Sequence, residues 1–280
     1  MDESKLFKAL EKEKVARAKR AGHYDLSQLT REEPVTLDES AVIPDMSPLS
    51  DTMARHSSLK QMRNPIPMSS NDMKNNKLIY TGMKNRSVLN AYRELRIQLL
   101  DKSDSENITV MISSADSQDN SINTALNLGI AFSLDVNSSA VVVDCNPYSI
   151  GLENLVTAQL NYGITDYILD ESISMESIIY PTGIDRVSVI PAGNSPEQAV
   201  ELFCSKSMED MVYELKNRYS DRFIVLNAPP VLVSSEARVL TRYCDHTVLT
   251  VPYGKSSIDS IEEAIESIGA SHVSGVVYQQ

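Results

Sequence analysis

Residues 108–132, ITVMISSADSQDNSINTALNLGIAF, contain a strand, a turn and a helix in direct succession. The opening run, ITVMIS, is apolar on consecutive positions rather than alternate ones, which predicts a strand buried on both faces. The residues after the turn predict a helix. In such a strand-to-helix turn the free backbone N–H groups and the helix dipole form a natural anion site.

Five more apolar runs of four to six residues follow, and helical segments separate them. They are AVVV (140–143), VSVI (187–190), FIVL (223–226), HTVLTV (246–251) and VSGVVY (273–278). Strands that alternate with helices predict an α/β fold with a doubly wound, mostly parallel sheet. Ligands of such folds lie beyond the carboxyl ends of the strands.

The turn after the first strand lacks the chemistry of a phosphate loop. A working loop needs glycines to wrap the phosphates, a lysine for the terminal oxygens and a Ser or Thr hydroxyl for magnesium. This turn contains no glycine, and the next glycine after the strand is Gly129, which lies well inside the helix. Asp116 and Asp119 place negative charge where a triphosphate would lie, and residues 103–185 contain no Lys, Arg or His.

The frame of the turn nevertheless resembles that of the bacterial tyrosine kinases of exopolysaccharide and capsule biosynthesis. These are relatives of the MinD and ParA type of P-loop ATPase, and their loop reads approximately T-S-A-x-P-G-E-G-K-S-T-x-A-x-N-L-A. The matching residues are Ser114, Ala115, Ala125, Asn127 and Leu128. Together with the turn, five further segments resemble the family's pattern in the same order along residues 87–280. The first lies before the turn and the others after it: NAYRELRIQLL from 90, VVVDCNPYSIGLENLV from 141, YGITDYILDESISMESII from 162, PAGNSPEQAVELF from 191 and FIVLNAPPVLVSSEARVL from 223. The resemblance implies a P-loop NTPase-like domain over residues 77–280.

Within that frame, the residues of the family's phosphate loop are replaced. Ser121 stands where the resemblance places the lysine, and Ile122 stands where it places the magnesium hydroxyl. We therefore predict a vestigial phosphate loop and no bound cofactor. The loop comprises Ser114, Asp116, Gln118, Asn120, Ser121 and Ile122.

The acidic motifs have changed as well. In the second acidic motif Asp144 is kept, but Asn146 stands for the second Asp and Tyr148 for the Arg. Asn227 replaces the Asp that contacts magnesium in the family. Because phosphoryl transfer depends on positioning and on neutralising charge, we predict a pseudokinase with no catalytic residue and no metal. We interpret Asp144 as a solvated carboxylate at a strand end rather than as a retained catalytic group.

Two arginines of the family's E-x-x-R-x-x-R helix are kept. They are Arg93 and Arg96, with Asn90 in place of the Glu. The resemblance implies that this helix packs against a neighbouring subunit. A spacing of three puts both guanidinium groups on one helix face, where they suit an acidic partner surface. A solvated helix face is the alternative interpretation.

The first 76 residues differ in composition from the rest. Residues 1–20 predict a weakly amphipathic helix, and residues 21–76, rich in Pro, Ser and Asn, predict a flexible linker. The expected segments are therefore 1–20, 21–76 and the domain at 77–280. The three cysteines are too scattered for a disulfide framework or a structural zinc site.

Charge and hydropathy exclude some classes of function. The chain has a net charge of −12, and residues 101–280 contain 25 acidic but only 9 basic residues. This excludes nucleic-acid binding by residues 101–280, because contacts with phosphates need clustered Lys and Arg. No apolar run reaches the roughly 20 residues that a membrane-spanning helix needs, and the amino terminus is charged throughout. We expect a cytoplasmic protein, peripheral at the inner membrane if a partner holds it there.

These observations favour a non-catalytic protein that regulates or scaffolds exopolysaccharide biosynthesis or export. The expected partner is a cognate polysaccharide tyrosine kinase or an inner-membrane chain-length regulator, and self-association is a further option. Two alternatives remain: an active protein-tyrosine autokinase and a ParA- or MinD-like positioning ATPase. The lack of basic residues at 103–185 argues against both, because each must bind a nucleotide.

Overall fold

The computed structural model describes residues 66–103, 107–115, 121–149, 151–218 and 221–279. In chain order, its helices and strands are α1 (Ser70–Asn75), α2 (Arg86–Asp101), β1 (Thr109–Ser114), α3 (Ser121–Ser133), β2 (Ser139–Asp144), α4 (Ile164–Leu169), α5 (Met175–Ile178), β3 (Tyr180–Pro181), β4 (Val187–Ile190), α6 (Ala199–Phe203), α7 (Lys206–Arg218), β5 (Arg222–Asn227), α8 (Glu236–Leu240), β6 (His246–Pro252), α9 (Ile258–Ile268) and β7 (Val273–Gln279). Short 3₁₀ turns lie at Leu152–Asn154, Pro196–Gln198, Thr241–Tyr243 and Ala270–His272. Within these ranges no helix is long and apolar enough to cross a membrane.

The seven strands form one sheet in the order β3-β4-β2-β5-β1-β6-β7. Every neighbouring pair is parallel except β3 with β4, which is antiparallel. The predicted doubly wound, mostly parallel α/β fold is confirmed, and each of the six predicted runs is a strand. The sequence did not predict β3, because its two residues offer no apolar run and form a strand only by pairing with β4.

The core consists of two apolar clusters, one on each face of the sheet. Successive strand residues belong to opposite clusters: Val110 and Ile112 lie in one and Met111 in the other. This explains why the strands are apolar on consecutive positions. Helix α3 packs so closely on the sheet that a Cβ at Gly129 would lie 2.9 Å from Val142 Cγ2.

Residues that precede the predicted boundary between residues 76 and 77 also pack on the sheet domain. Helix α1 lies within the predicted linker, and its Met73 is only 7% exposed and belongs to the core cluster on the α3 face. Before it, the N–H of Met68 donates to the carbonyl of Gly183 at 2.8 Å. The sequence did not predict α1, because one buried methionine in a polar, Asn-rich stretch gives no periodic signal, and the boundary itself stays a prediction. The predicted helix at 1–20 and residues 21–65 of the predicted linker lie outside the described residues.

Asn127, a residue kept from the family's loop pattern, holds the stretch before α2 against α3. Its Oδ1 accepts from the N–H of Ile79 at 2.7 Å, and its Nδ2 donates to the carbonyl of Lys77 at 3.1 Å. Lys77 has a positive φ of 56°, a strained conformation for a non-glycine residue. Asn123, one turn earlier on α3, donates to the carbonyl of Asn76 at 2.8 Å. Asn127 therefore stabilises the fold by holding residues 77–79 against α3.

Candidate functional site

The carboxyl ends of β1, β2 and β5 meet at one edge of the sheet. Asn227 at the end of β5 aligns with Ile112 of β1 on one side and with Asp144 of β2 on the other. A cavity of about 570 Å³ opens at this edge, between the start of α3 and the residues that follow β2 and β5. Its lining residues are Ser121, Ile122, Asn146, Tyr148, Ser149, Val200, Pro229, Pro230, Val233, Ser234, Ser235 and Glu236.

The structure brings part of the predicted vestigial site together. Ser121 and Ile122 of the predicted phosphate loop line the cavity with Asn146 of the predicted acidic motif. Ser114 is buried at the end of β1, where its carbonyl accepts from the N–H of Val231 at 2.9 Å. The other predicted loop residues lie outside the described ranges: Asp116, Gln118 and Asn120.

Asp144 is a buried group, and its interpretation as a solvated carboxylate was wrong. The side chain is 4% exposed, and Oδ1 accepts from Asn227 Nδ2 at 2.8 Å and from the N–H of Asn146 at 3.0 Å. Asn227 is 1% exposed, and its Oδ1 has no hydrogen-bond partner among the described residues. Two of the three positions that carry acids in the family, 144 and 227, thus form one buried acid–amide pair.

Burial changes the protonation of this pair. It raises the pKa of Asp144 to about 7, the charge of Glu153 adds to the rise, and the hydrogen bonds from Asn227 and Asn146 act in the opposite direction. Near neutral pH, Asp144 is therefore only partly ionised. A carboxylate that holds a proton is a poor magnesium ligand, since hard cations prefer ionised oxygen ligands.

A second polar group in the cavity was not predicted from the sequence. Tyr148 Oη donates to Glu236 Oε1 at 2.6 Å, and Ser234 Oγ donates to Glu236 Oε2. Burial acts to raise the pKa of Glu236, but these hydrogen bonds outweigh it and the pKa is lowered. The bond to Glu236 raises the pKa of Tyr148 to about 12. At neutral pH the site therefore holds an ionised carboxylate and a protonated phenol.

The cavity's electrostatic environment is negative. Among the described lining residues Glu236 is the one charged side chain, and the charges of Glu197 and Glu201 also act on Tyr148. A nucleotide triphosphate needs the opposite, namely cations and free N–H donors that neutralise its oxygens. At the positions that the resemblance gives to the lysine and to the magnesium hydroxyl, the side chains are the hydroxyl of Ser121 and the hydrocarbon of Ile122. The described lining residues do not fit magnesium nucleotide.

The two predicted interface arginines have different environments. Arg93 is exposed, whereas Arg96 is partly buried and its Nη1 donates to the carbonyl of Ala131 at 2.8 Å, in the last turn of α3. Nearby, Arg186 Nη2 donates to the carbonyl of Ser133. Cations at a helix carboxyl end satisfy its free carbonyls and interact favourably with the dipole. Arg96 therefore stabilises the fold, and the predicted interface with a neighbouring subunit stays a prediction.

Single substitutions should separate these two roles. We expect Arg96→Ala to lower the free energy of unfolding by about 1 to 2 kcal/mol, because the charged hydrogen bond to α3 is lost. Arg93→Ala should change it by less than about 0.5 kcal/mol, as is usual for an exposed side chain. Urea denaturation of both variants measures the difference, and equal losses would contradict the assignment. Arg93→Glu then tests the predicted interface without affecting the hydrogen bond between Arg96 and the carboxyl end of α3.

Among curated proteins, this chain is similar in sequence to bacterial tyrosine kinases. The chain is 26% identical over 178 residues to tyrosine-protein kinase YwqD of Bacillus subtilis, which covers 63% of this chain and 73% of that protein. Tyrosine-protein kinase CpsD of Streptococcus agalactiae is 27% identical over 39% of this chain and 46% of its own length. The putative tyrosine-protein kinase CapB of Staphylococcus aureus is 28% identical over 37% and 44%. The chain thus aligns with less than half of the last two, and no protein-family model matches it.

Comparison with solved structures gives the same fold. The chimerical protein CapA2B2 superposes with a TM-score of 0.66 at 20% identity, over 81% of this chain and 97% of that one. The kinase domain of Escherichia coli tyrosine kinase ETK gives 0.64 at 18% identity, over 76% and 88%. A ParA family ATPase of Chlorobium tepidum gives 0.51 at 12% identity, over 63% and 73%. The fold is that of a P-loop NTPase.

Proposed function

We propose that this chain, whose sequence relatives are bacterial tyrosine-protein kinases and whose fold is that of a tyrosine kinase domain, is a non-catalytic partner protein. In this proposal it keeps the kinase frame as a binding scaffold and transfers no phosphoryl group. Its area of action is polysaccharide biosynthesis or export, as the resemblance implies.

The observation that carries the proposal is the composition of the cavity at the sheet edge. Ser121 occupies the position of the phosphate-binding lysine, and Ile122 occupies that of the hydroxyl that binds magnesium. Asn227 occupies the position of the aspartate that contacts the metal. Asn227 is bonded to a buried, partly protonated Asp144, and the charged group that lines the cavity is a carboxylate. Each change removes attraction for a magnesium nucleotide, and together they leave no described group to neutralise the transferred charge.

The proposed partner is a cognate tyrosine kinase or an inner-membrane chain-length regulator. Binding to such a partner would hold the chain at the cytoplasmic face of the inner membrane. The acidic surface of residues 101–280 and the exposed Arg93 offer charges of both signs for such contacts. Of the two alternatives, an active autokinase and a ParA-like ATPase, the kinase group is supported more by sequence, since the curated relatives named above are tyrosine kinases.

A phosphotransfer assay tests the proposal. Purified full chain incubated with ATP and magnesium should acquire no phosphotyrosine, as read by a phosphotyrosine antibody and by mass spectrometry. Asp144→Asn serves as the matched control, because it removes the one acid kept in the family's acidic motifs and alters no surface charge. Phosphotyrosine on the wild type that is absent from Asp144→Asn would show intrinsic kinase activity and contradict the proposal.

A further inference from the structure

A second cavity, which we call the lysine groove, lies away from the sheet-edge site. Its volume is about 760 Å³, and it is bounded by α2, α3, residues 77–85 and the end of β7. Its apolar surface comes from α2, from the stretch before it and from β7, and includes Tyr80, Met83, Val88, Leu95 and Val277. Val88 is exposed although it sits beside a packed core. The groove therefore offers apolar area that the described residues leave uncovered.

The charges around the lysine groove are all of one sign. Among the described residues that line it, the charged ones are Lys74, Lys77 and Lys84, and none of these described residues is an Asp or Glu. All three lysines are exposed, and none of them forms an ion pair with another described residue. An occupant that fits must bring apolar side chains for the floor and negative charge for the rim.

The backbone beside the groove favours a peptide as that occupant. In the described part of the chain β7 is an edge strand of the sheet, and its residues 277–279 line the groove. An edge strand presents unpaired N–H and C=O groups that another chain segment can bind, and an acyl chain cannot use them. At the opposite end of β7, Lys102 Nζ donates to the carbonyl of Ser274 at 2.8 Å, which leaves the groove end as the accessible one.

We propose that the lysine groove docks a short segment of a partner protein that carries large apolar side chains flanked by Asp or Glu. The apolar side chains cover the floor between α2 and β7, and the carboxylates pair with Lys74 and Lys84. This extends the proposed function, because it assigns the surface through which a non-catalytic scaffold holds its partner.

Two synthetic peptides of equal length and identical apolar residues test the proposal, one flanked by Glu and one by Lys. Fluorescence anisotropy with the full chain should show binding of the Glu-flanked peptide only. The double variant Lys74→Glu/Lys84→Glu should weaken it at least about tenfold, since two attractive charge pairs become repulsive. Lys77 is left unchanged because of its positive φ. Val88→Asp, which places a charge on the apolar floor, should weaken binding to a similar extent.

The matched control is Lys206→Glu, a charge reversal at an exposed lysine of α7 that does not line the groove, and it should leave binding unchanged. Equal binding of both peptides, or no effect of the double variant and Val88→Asp, would overturn the proposal. So would binding of phosphatidylglycerol vesicles in place of the peptide. Loss of self-association in the double variant without peptide binding would overturn it too, since the occupant would be a second copy. Nucleotide binding is measured separately, so failure here is distinguishable from failure of the proposed function.

Discussion

At pH 8, the Asp144→Asn variant is expected to be more stable than the wild type by up to about 4 kcal/mol, and at pH 4 the two should be nearly equal. The folded protein raises the pKa of Asp144 from an ordinary 3.8 to about 7. Between these values the folded state binds more protons than the unfolded state, so stability falls as pH rises and levels off above about pH 8. The amide lacks this titration, and a pKa difference of about 3 corresponds to about 4 kcal/mol.

Urea denaturation of both proteins across pH 4 to 8 measures this difference, in which the titration of other groups cancels. The amide of Asn at position 144 still offers an oxygen that can accept the hydrogen bond from Asn227 Nδ2. Asp185→Asn is the matched control at an exposed aspartate, and its effect should stay below about 0.5 kcal/mol at every pH. If Asp144→Asn instead destabilises the protein equally at pH 4 and pH 8, Asp144 is an ordinary ionised carboxylate.

Asn127→Ala is expected to lower the free energy of unfolding by about 2 to 4 kcal/mol. The substitution removes both hydrogen bonds that hold residues 77–79 on α3 and leaves the buried N–H of Ile79 without a partner. For a domain of this size, such a loss lowers the melting temperature by roughly 5 to 15 °C. Hydrogen exchange should show loss of protection at the Ile79 amide before global unfolding.

Asn123→Ala provides the control on the same helix. Asn123 makes one partly buried hydrogen bond, to the carbonyl of Asn76, so its replacement should cost no more than about 1 kcal/mol. Calorimetric melting of both variants compares them directly. Equal melting temperatures would show that Asn127 does not hold the segment, and its presence in the loop pattern would need another explanation.

Much of the fold was predictable from the sequence, because a strand that is buried on both faces of the sheet has apolar residues at consecutive positions. The six runs from ITVMIS to VSGVVY all became strands of one sheet. Helix α1 was missed, since its single buried residue, Met73, lies among polar neighbours. β3 was missed because two residues form a strand only when β4 is already in place.

The candidate site was less predictable, because its properties come from contacts distant in the chain. The resemblance located the replaced positions, but burial of Asp144 depends on β5, which lies 83 residues further along. The bond between Tyr148 and Glu236 joins residues 88 apart, and a Ser two residues before a Glu in SSEARVL is a weak local signal. Arg96 likewise gave no sign in the sequence that it binds α3 rather than a partner.

Calorimetric titration of the purified full chain with ATP in the presence of magnesium measures whether the chain binds nucleotide at all. We expect no binding heat at millimolar nucleotide, because Ser121, Ile122 and Asn227 stand where a lysine, a hydroxyl and a carboxylate would bind the phosphates and the metal. Omitting magnesium should then change nothing. Micromolar affinity that depends on magnesium would show a working nucleotide site and rule out a non-catalytic protein with a vestigial phosphate loop.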